Sequence, residues 1–198
     1  MNNTLKINFK KQSILLGLFL VIFAGAFAQV KYSAKAISLV VSGTSTLHDW
    51  DMKSADGSFE GTFTFSAANA ITAVTGISFT TNSTALKSGH GAMDKNAYKA
   101  LKTDKVTAIT FQAATATVSV VDASNYLVKA VGKLTIAGST QNAEISATCK
   151  VNPDKSLSVM GSKKLSMKEF GMEPPTFMMG TIKTGNDVTL KFDLKLNK

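Results

Sequence analysis

Alternation between apolar and polar residues is the strongest signal in this chain after residue 30. In the segment 58–67, Phe59, Gly61, Phe63 and Phe65 share one face, and the intervening positions are glutamate, threonine and serine. A period of two is typical of a strand with one buried face. The pattern recurs over 125–138 and 187–196, and shorter stretches predict strands at 37–41, 77–81, 109–118, 143–151 and 157–161. The sequence therefore predicts about eight strands.

Short connections separate these predicted strands. Turn-forming residues occur in "VDASN" at 121–125, "AGST" at 137–140, "NPDKS" at 152–156 and "KTGND" at 183–187. Such connections join antiparallel strands and leave no room for the crossover helices of a parallel sheet, so an antiparallel barrel or sandwich follows. Gly61, Gly132 and Gly161 lie within strand patterns and favour the barrel, because a closing sheet needs bends and close approaches. We predict an all-β, eight-stranded antiparallel barrel.

One segment, residues 90–105, breaks the alternation. Met93, Ala97 and Leu101 recur at every fourth position with Tyr98 beside them, which is the spacing of a helix face. Asp94 lies near the start and lysines lie toward the end, as the helix dipole favours. The sequence predicts one amphipathic helix over about 93–102.

The first 28 residues differ from the rest of the chain. Three lysines precede an apolar run from Ile14 to Phe27, which ends in the small-x-small pattern Ala26-Phe27-Ala28. This is the layout of a secretory signal peptide. An uncleaved anchor is the alternative, although the run is shorter than the ~20 residues that a spanning helix needs. We expect residues 1–28 to be a signal peptide, residues 29–198 to form one domain, and the protein to be periplasmic, with full secretion left open.

Composition narrows the function classes. The formal net charge of +9 comes from lysines spread along the chain, and arginine is absent. Because arginine is the preferred residue for binding phosphates and reading bases, we expect no nucleic-acid partner. The single cysteine, Cys149, has the alternation phase of Ile145 and Ala147. We interpret it as a small buried hydrophobe, with a reactive thiol as the alternative.

Candidate chemistry is concentrated in "SGTSTLHDWDM", residues 42–52. A zinc site needs three or four converging ligands, and in an extended segment His48 points away from Asp49 and Asp51. The chain has no G-x-S-x-G motif for a serine nucleophile. We interpret the stretch as the polar start of a strand with Trp50 turned inward, and expect no catalytic residue, no metal and no required cofactor.

Methionine is concentrated near the C-terminal end. The segment 160–179 also contains Phe170 and Phe177, and it holds Met160, Met167, Met172, Met178 and Met179. Methionine is flexible and polarizable and adapts to irregular apolar partners, so the segment is a candidate for contact with flexible chains. Ordinary core packing is the alternative.

Several stretches together resemble the YceI family. They are "TSTLHDWDM", "ALKSGHGAMDKNAYKALKTDKVTAITFQ", "GKLTIAGSTQNAEI" and "FGMEPPTFMMGTIKTGNDVTLKFDLKL", in this order. The resemblance covers most of residues 30–198, and the His-Asp-Trp form is similar to a branch seen in Bacteroidetes-like bacteria. It implies a lipocalin-like barrel with a helix over it, whose tunnel holds a long-chain amphiphile.

The resemblance also implies which residues form the wall or lid of the tunnel. By match of motif these are Met93, Tyr98, Ile109, Phe111, Leu134 and Ile136. Inward-facing and methionine-segment positions complete the expected ligand-binding set: Trp50, Phe63, Phe65, Phe79, Met167, Phe170, Met172, Phe177 and Met179. Where many members have arginines, this chain has Ala137 and Met167, so a head group held by those arginines must be bound differently here.

The predicted function is an exported, non-enzymatic protein that sequesters or transports an isoprenoid, a quinone-like lipid, or a fatty acid or amide. A transient membrane-surface contact and a homodimer remain open. Two alternatives belong to other classes. One is a metal-dependent envelope hydrolase using His48, Asp49, Asp51 and His90, and the other is a structural or adhesive barrel with a protein partner.

Overall fold

A computed structural model describes residues 28–198 and consists mainly of strands. The long strands are β1 (Ala28–Ser45), β2 (Trp50–Phe65), β3 (Ile71–Asn82), β4 (Ala108–Val120), β5 (Asn125–Ile136), β6 (Ser139–Val151), β7 (Leu157–Ser166) and β9 (Ile182–Leu196), and β8 (Thr176–Phe177) is short. The helix α1 is Gly91–Ala100, and 3₁₀ turns lie at Ser83–Ala85, Lys168–Phe170 and Met178–Gly180. The predicted signal peptide lies outside the described residues except for Ala28. Within residues 28–198, no helix has the length and hydropathy needed to span a bilayer.

The long strands form a closed antiparallel barrel. Each pairs with the next along the chain, β7 pairs with β9, and β9 pairs back to β1, while β8 adds only to one end of β9. Closure satisfies the backbone groups that an open sheet would leave at its edges. The predicted eight-stranded barrel with one helix is confirmed, and the ninth strand is a short addition.

The helix lies two residues earlier than predicted. His90 is extended and serves as the N-cap, and Lys102, at φ 54°, is left-handed beyond the C-cap Leu101. A left-handed residue cannot continue a right-handed helix, so the helix ends before the last apolar position of the pattern. The predicted charges at its ends, Asp94 in the first turn and Lys99 in the last, are confirmed.

The two ends of the barrel differ. One end carries the hairpin turns 66–70, 121–124 and 152–156, and the other carries the loop 46–49, helix α1 and the segment 167–181. We call these the closed end and the open end. The longer connections between strands therefore all lie at the open end.

Gly132 shows why glycine is needed in a strand of this barrel. A Cβ added there would overlap the carbonyl oxygen of Gln112 on the neighbouring strand β4. The register of β4 against β5 is irregular between Gln112 and Ala116, so the two backbones approach closely at this bend. The prediction that strand glycines mark close approaches is confirmed here.

We therefore expect Gly132→Ala to destabilise the barrel by about 3 kcal/mol, the upper range for overpacking, because the clashing atom belongs to the backbone. The measurement is urea unfolding at neutral pH. Gly91→Ala is the matched control, since nothing lies within 4 Å of a Cβ added at Gly91. Equal unfolding midpoints for both variants would show that β4 can move away without cost.

Candidate functional site

The barrel encloses one large apolar cavity of about 500 Å³. This volume falls within the ~300–1,000 Å³ of small-molecule sites. The inward positions of the long strands form its wall, and α1 covers it with Ala92, Met93, Asn96, Ala97 and Ala100. The predicted apolar faces of β5 and β9 supply Val128, Ala130, Leu134, Ile136, Val188, Leu190, Phe192 and Leu194.

Aromatic packing closes the cavity at the closed end. The rings of Tyr32 and Phe63 meet edge to face with centroids 5.4 Å apart, and the Tyr32 hydroxyl donates to the carbonyl of Lys155 over 2.9 Å. Phe63 and Cys149 still line the cavity, whereas Tyr32, Leu157 and Leu196 lie behind them and are almost fully buried. Burial raises the pKa of Tyr32. The cavity therefore ends blindly here.

The polar residues of the cavity lining lie at its open end. Among the residues of 28–198 that line the cavity, the polar ones there are Ser45, His48, His90, Asn96, Ser166 and Thr184, and the lining includes no Asp, Glu, Lys or Arg. A charge inside such a wall would lack a counter-ion and would be strongly disfavoured. The interior is therefore suited to an apolar chain, and the open end to a polar group.

Two polar anchors fix the cover to the connection 83–90 that precedes it, and the bridge between Lys87 and Lys53 joins this connection to β2. The Tyr98 hydroxyl lies 2.8 Å from the carbonyl of Thr84 and 2.9 Å from that of Leu86, and it accepts from Lys87 Nζ at 2.6 Å. This hydrogen bond raises the pKa of Lys87. At the start of α1, Asp94 accepts from the backbone N–H and the hydroxyl of Ser88 at 2.8 and 2.7 Å.

Because of the Asp94 anchor, we expect the stability of the protein to depend on pH. The two hydrogen bonds from Ser88 lower the pKa of Asp94 below the usual 3.8. Their stabilisation is therefore present above pH 3.8 and is lost as the pH falls through the folded-state pKa. We expect Asp94→Asn to lower the free energy of unfolding at pH 7 by less than about 1 kcal/mol, because solvent screens an exposed carboxylate. The difference should shrink below pH 3.8.

Urea unfolding of wild type and variant at pH 7 and pH 3 measures this. Asp104→Asn is the control, because Asp104 is exposed and its side chain makes no hydrogen bond within the part of the chain that the structure describes. A difference that is constant with pH would contradict a role for the Asp94 charge.

Most of the predicted ligand-binding residues line this one cavity. They are Trp50, Phe63, Phe79, Met93, Ile109, Phe111, Leu134, Ile136, Met167, Phe170, Met172 and Phe177. Three do not: Phe65 packs against Tyr32 at the closed end, Tyr98 is turned to the anchor described above, and Met179 is fully exposed to solvent. Alternation and helix spacing place residues on a face, but they do not show where along the barrel the cavity ends.

The methionine-rich segment is divided by the fold. Met167 and Met172 are buried and line the cavity, whereas Met160, Met178 and Met179 are exposed. The expected ligand-binding set included Met167, Met172 and Met179, with ordinary core packing as the alternative. Met160 is an exposed position of β7. The 3₁₀ turn Lys168–Phe170 buries Phe170 between Met167 and Met172, whereas the turn Met178–Gly180 contains no buried residue.

Cys149 is a cavity residue that sequence reasoning placed in the core without a role. It is completely buried at the inner end of the cavity, and burial raises its pKa to about 12. A thiol with so high a pKa is unreactive at neutral pH. The alternation phase that predicted its burial is shared with Ile145 and Ala147, which also line the cavity.

The "LHDWDM" stretch forms a polar turn and the start of β2. His48 Nδ1 lies 2.6 Å from the Asp49 carbonyl, and Trp50 Nε1 donates to the Thr44 carbonyl at 3.0 Å. The Trp50 indole lies over Gly43, where a Cβ would collide with the ring. Across residues 28–198, His, Cys, Asp and Glu side chains form no group of three or more that could hold a metal ion.

Comparisons with known proteins agree with this architecture. The chain matches the family model described as the YceI-like domain over residues 27–196. No curated protein sequence matches it.

Several solved structures share the fold, two of them from Burkholderia cenocepacia and Saccharophagus degradans. Burkholderia cenocepacia BcnA is 14% identical, with a TM-score of 0.59 over 82% of this chain and 96% of that chain. A domain from Saccharophagus degradans, described as a polyisoprenoid binding domain implicated in plant cell wall breakdown, is 13% identical. Its TM-score is 0.61 over 84% of this chain and 97% of that chain.

Proposed function

The chain belongs to the YceI-like domain family, and from that membership we propose that it binds a long-chain lipid of the isoprenoid type inside the barrel. The observation that supports this best is the blind apolar cavity of about 500 Å³, whose polar residues lie at the open end alone. The description of the Saccharophagus degradans domain as polyisoprenoid-binding supports the ligand class.

The polarity of the wall supports an orientation for the ligand. The lipid tail enters first and ends near Phe63 and Cys149, and its polar group stays near His48, His90 and Asn96. The imidazole and amide groups there can form hydrogen bonds with a hydroxyl or carbonyl, whereas the deeper wall offers an ion no partner. The proposed ligand is therefore an isoprenol, a quinone-like lipid or a fatty amide in preference to a multiply charged lipid.

The residues at two motif positions agree with an uncharged ligand. Met167 is buried and lines the cavity, and Ala137 is buried in the β5–β6 turn. Neither can neutralise an anionic head group as an arginine would. Binding then depends on apolar burial: ten methylenes contribute ~8 kcal/mol, the gross free energy of a ~1 μM complex before association costs. A longer tail or polar contacts at the open end must supply the rest.

We further propose that residues 1–28 direct export and that the mature protein sequesters or carries its lipid in the periplasm as a binding protein without catalysis. Their layout of lysines, apolar run and Ala-Phe-Ala supports export.

Trp50 offers a direct test, because it is the only tryptophan and it lines the cavity near the open end. Titration with linear primary alcohols of increasing length should produce a saturable change in its fluorescence. Each added methylene should tighten Kd about fourfold until the tail reaches the closed end, and longer alcohols should then show constant affinity. Geranylgeraniol should bind with a Kd of ~1 μM or lower. No saturable change, or no dependence on chain length, would contradict lipid binding in the cavity.

A further inference from the structure

Three strongly exposed apolar side chains flank the open end of the cavity. Leu47 is 65% exposed, Met178 75% and Met179 109%. We call these three residues the apolar rim. Hydrogen bonds between Thr46 and Lys183, from backbone N–H to carbonyl at 3.0 Å and from N–H to hydroxyl at 3.1 Å, join the loop of Leu47 to the start of β9. The rim therefore belongs to one connected surface.

This surface is continuous with the cavity. Phe177, directly before Met178, lines the cavity and pairs with Ile182, which lines it too. Leu47 itself belongs to the rim and to the cavity lining. A lipid tail that leaves the cavity at this point therefore contacts apolar side chains all the way to the protein surface.

The backbone holds the two methionines outward. Met178 and Met179 have φ values of 48° and 52°, and Gly180 follows at 89°. Residues other than glycine adopt this left-handed region at a cost in free energy, and strained residues of this kind cluster at functional sites. In this left-handed conformation the two consecutive methionines expose their apolar side chains. A turn of ordinary conformation could place the same side chains against the barrel.

We propose that the apolar rim inserts into the surface of a lipid bilayer, so that the lipid passes between bilayer and cavity without crossing water. This proposal rests on the proposed function, because insertion serves to transfer the lipid that the cavity binds. Flexible apolar side chains on protruding loops, flanked by lysines, suit the boundary between head groups and acyl chains. The segment 174–186 carries Lys183 and no carboxylate, although Glu173 and Asp187 border it and Asp49 lies near Leu47. On the adjacent helix α1, Lys95 and Lys99 are exposed and form no ion pair with any residue in 28–198.

Vesicle flotation tests the proposal. Residues 28–198 contain the complete closed barrel and its core, so the protein used begins at Ala28. It should bind vesicles of 70% phosphatidylcholine and 30% phosphatidylglycerol, and bind pure phosphatidylcholine several-fold more weakly. The double variant Met178→Ser/Met179→Ser should reduce partitioning at least tenfold. Val120→Ser/Val121→Ser is the matched control, since these residues are 69% and 64% exposed at the closed end. It should remain within twofold of wild type.

Three results would overturn the proposal. They are no binding of the wild type to either vesicle, equal loss in both double variants, and a dimer in vesicle-free solution that Met178→Ser/Met179→Ser dissociates. The last would assign the rim to a second copy of the chain. Alcohol binding in solution, read from Trp50, should be unchanged within twofold in the rim variant. This measurement distinguishes a failure of the proposed membrane insertion from a failure of the proposed lipid binding.

Discussion

Replacement of Ala130 and Ala147 by phenylalanine is expected to raise the Kd for a long-chain alcohol at least 100-fold, while the barrel remains folded. Both alanines are buried on adjacent strands β5 and β6 and line the cavity. Two phenyl rings would occupy much of the ~500 Å³ that the tail needs. Because they enter empty apolar space, the variant should be at least as stable as the wild type in urea.

Val131→Phe/Thr148→Phe is the control for this experiment. Each residue lies next to one of the alanines in sequence, but on the outer face of the same strand, and both are exposed. The control should bind the alcohol like the wild type, as measured by Trp50 fluorescence or calorimetry. Unchanged affinity in Ala130→Phe/Ala147→Phe, with folding intact, would place the lipid site outside the barrel.

Removal of the Tyr32 side chain is expected to cause the largest loss of stability, about 3–5 kcal/mol in Tyr32→Ala. Tyr32 is 2% exposed, packs against Phe63 and Phe65, and donates to the Lys155 carbonyl across the closed end. Its removal leaves a void joined to the cavity and an unpaired carbonyl. The same variant should lengthen the cavity, so that alcohols beyond the wild-type limit continue to gain affinity.

Tyr32→Phe separates the two contributions. It keeps the ring and removes only the hydroxyl, so it should cost about 1 kcal/mol, and its chain-length limit should match the wild type. Urea unfolding and the alcohol series measure both effects. A limit that does not move in Tyr32→Ala would show that Tyr32 does not form the floor of the cavity.

The fold was predictable because alternation is a local property. The faces of β5, β9 and the second half of β2 follow from their period of two, and the burial of Phe59, Phe63, Leu134 and Leu194 agrees with it. In β1 the alternation is interrupted. The register against β2 shifts between Ala34 and Ala36 and again between Ala36 and Leu39, so the phase changes along the strand. Because the phase changes within the strand, the alternation predicted only the second half of β1 as a strand.

The limits of the site were less predictable because they depend on tertiary contacts. The sequence could not show that Phe65 lies beyond the cavity floor, that the Tyr98 hydroxyl is fixed to the Thr84 and Leu86 carbonyls, or that Met179 points into solvent. The positions of His48 and His90 at the open end likewise require the fold. A spacing pattern identifies the face of the strand on which a residue lies. How deep that residue lies in the cavity depends on how the strands close into a barrel.

Native mass spectrometry of the protein purified from its own cell envelope, followed by organic extraction, tests lipid binding most directly. The account predicts one co-purifying lipid at a near-stoichiometric ratio, with a long apolar tail and no more than a small polar group. A protein that carries no extractable lipid, and whose Trp50 fluorescence does not respond to geranylgeraniol, would contradict it.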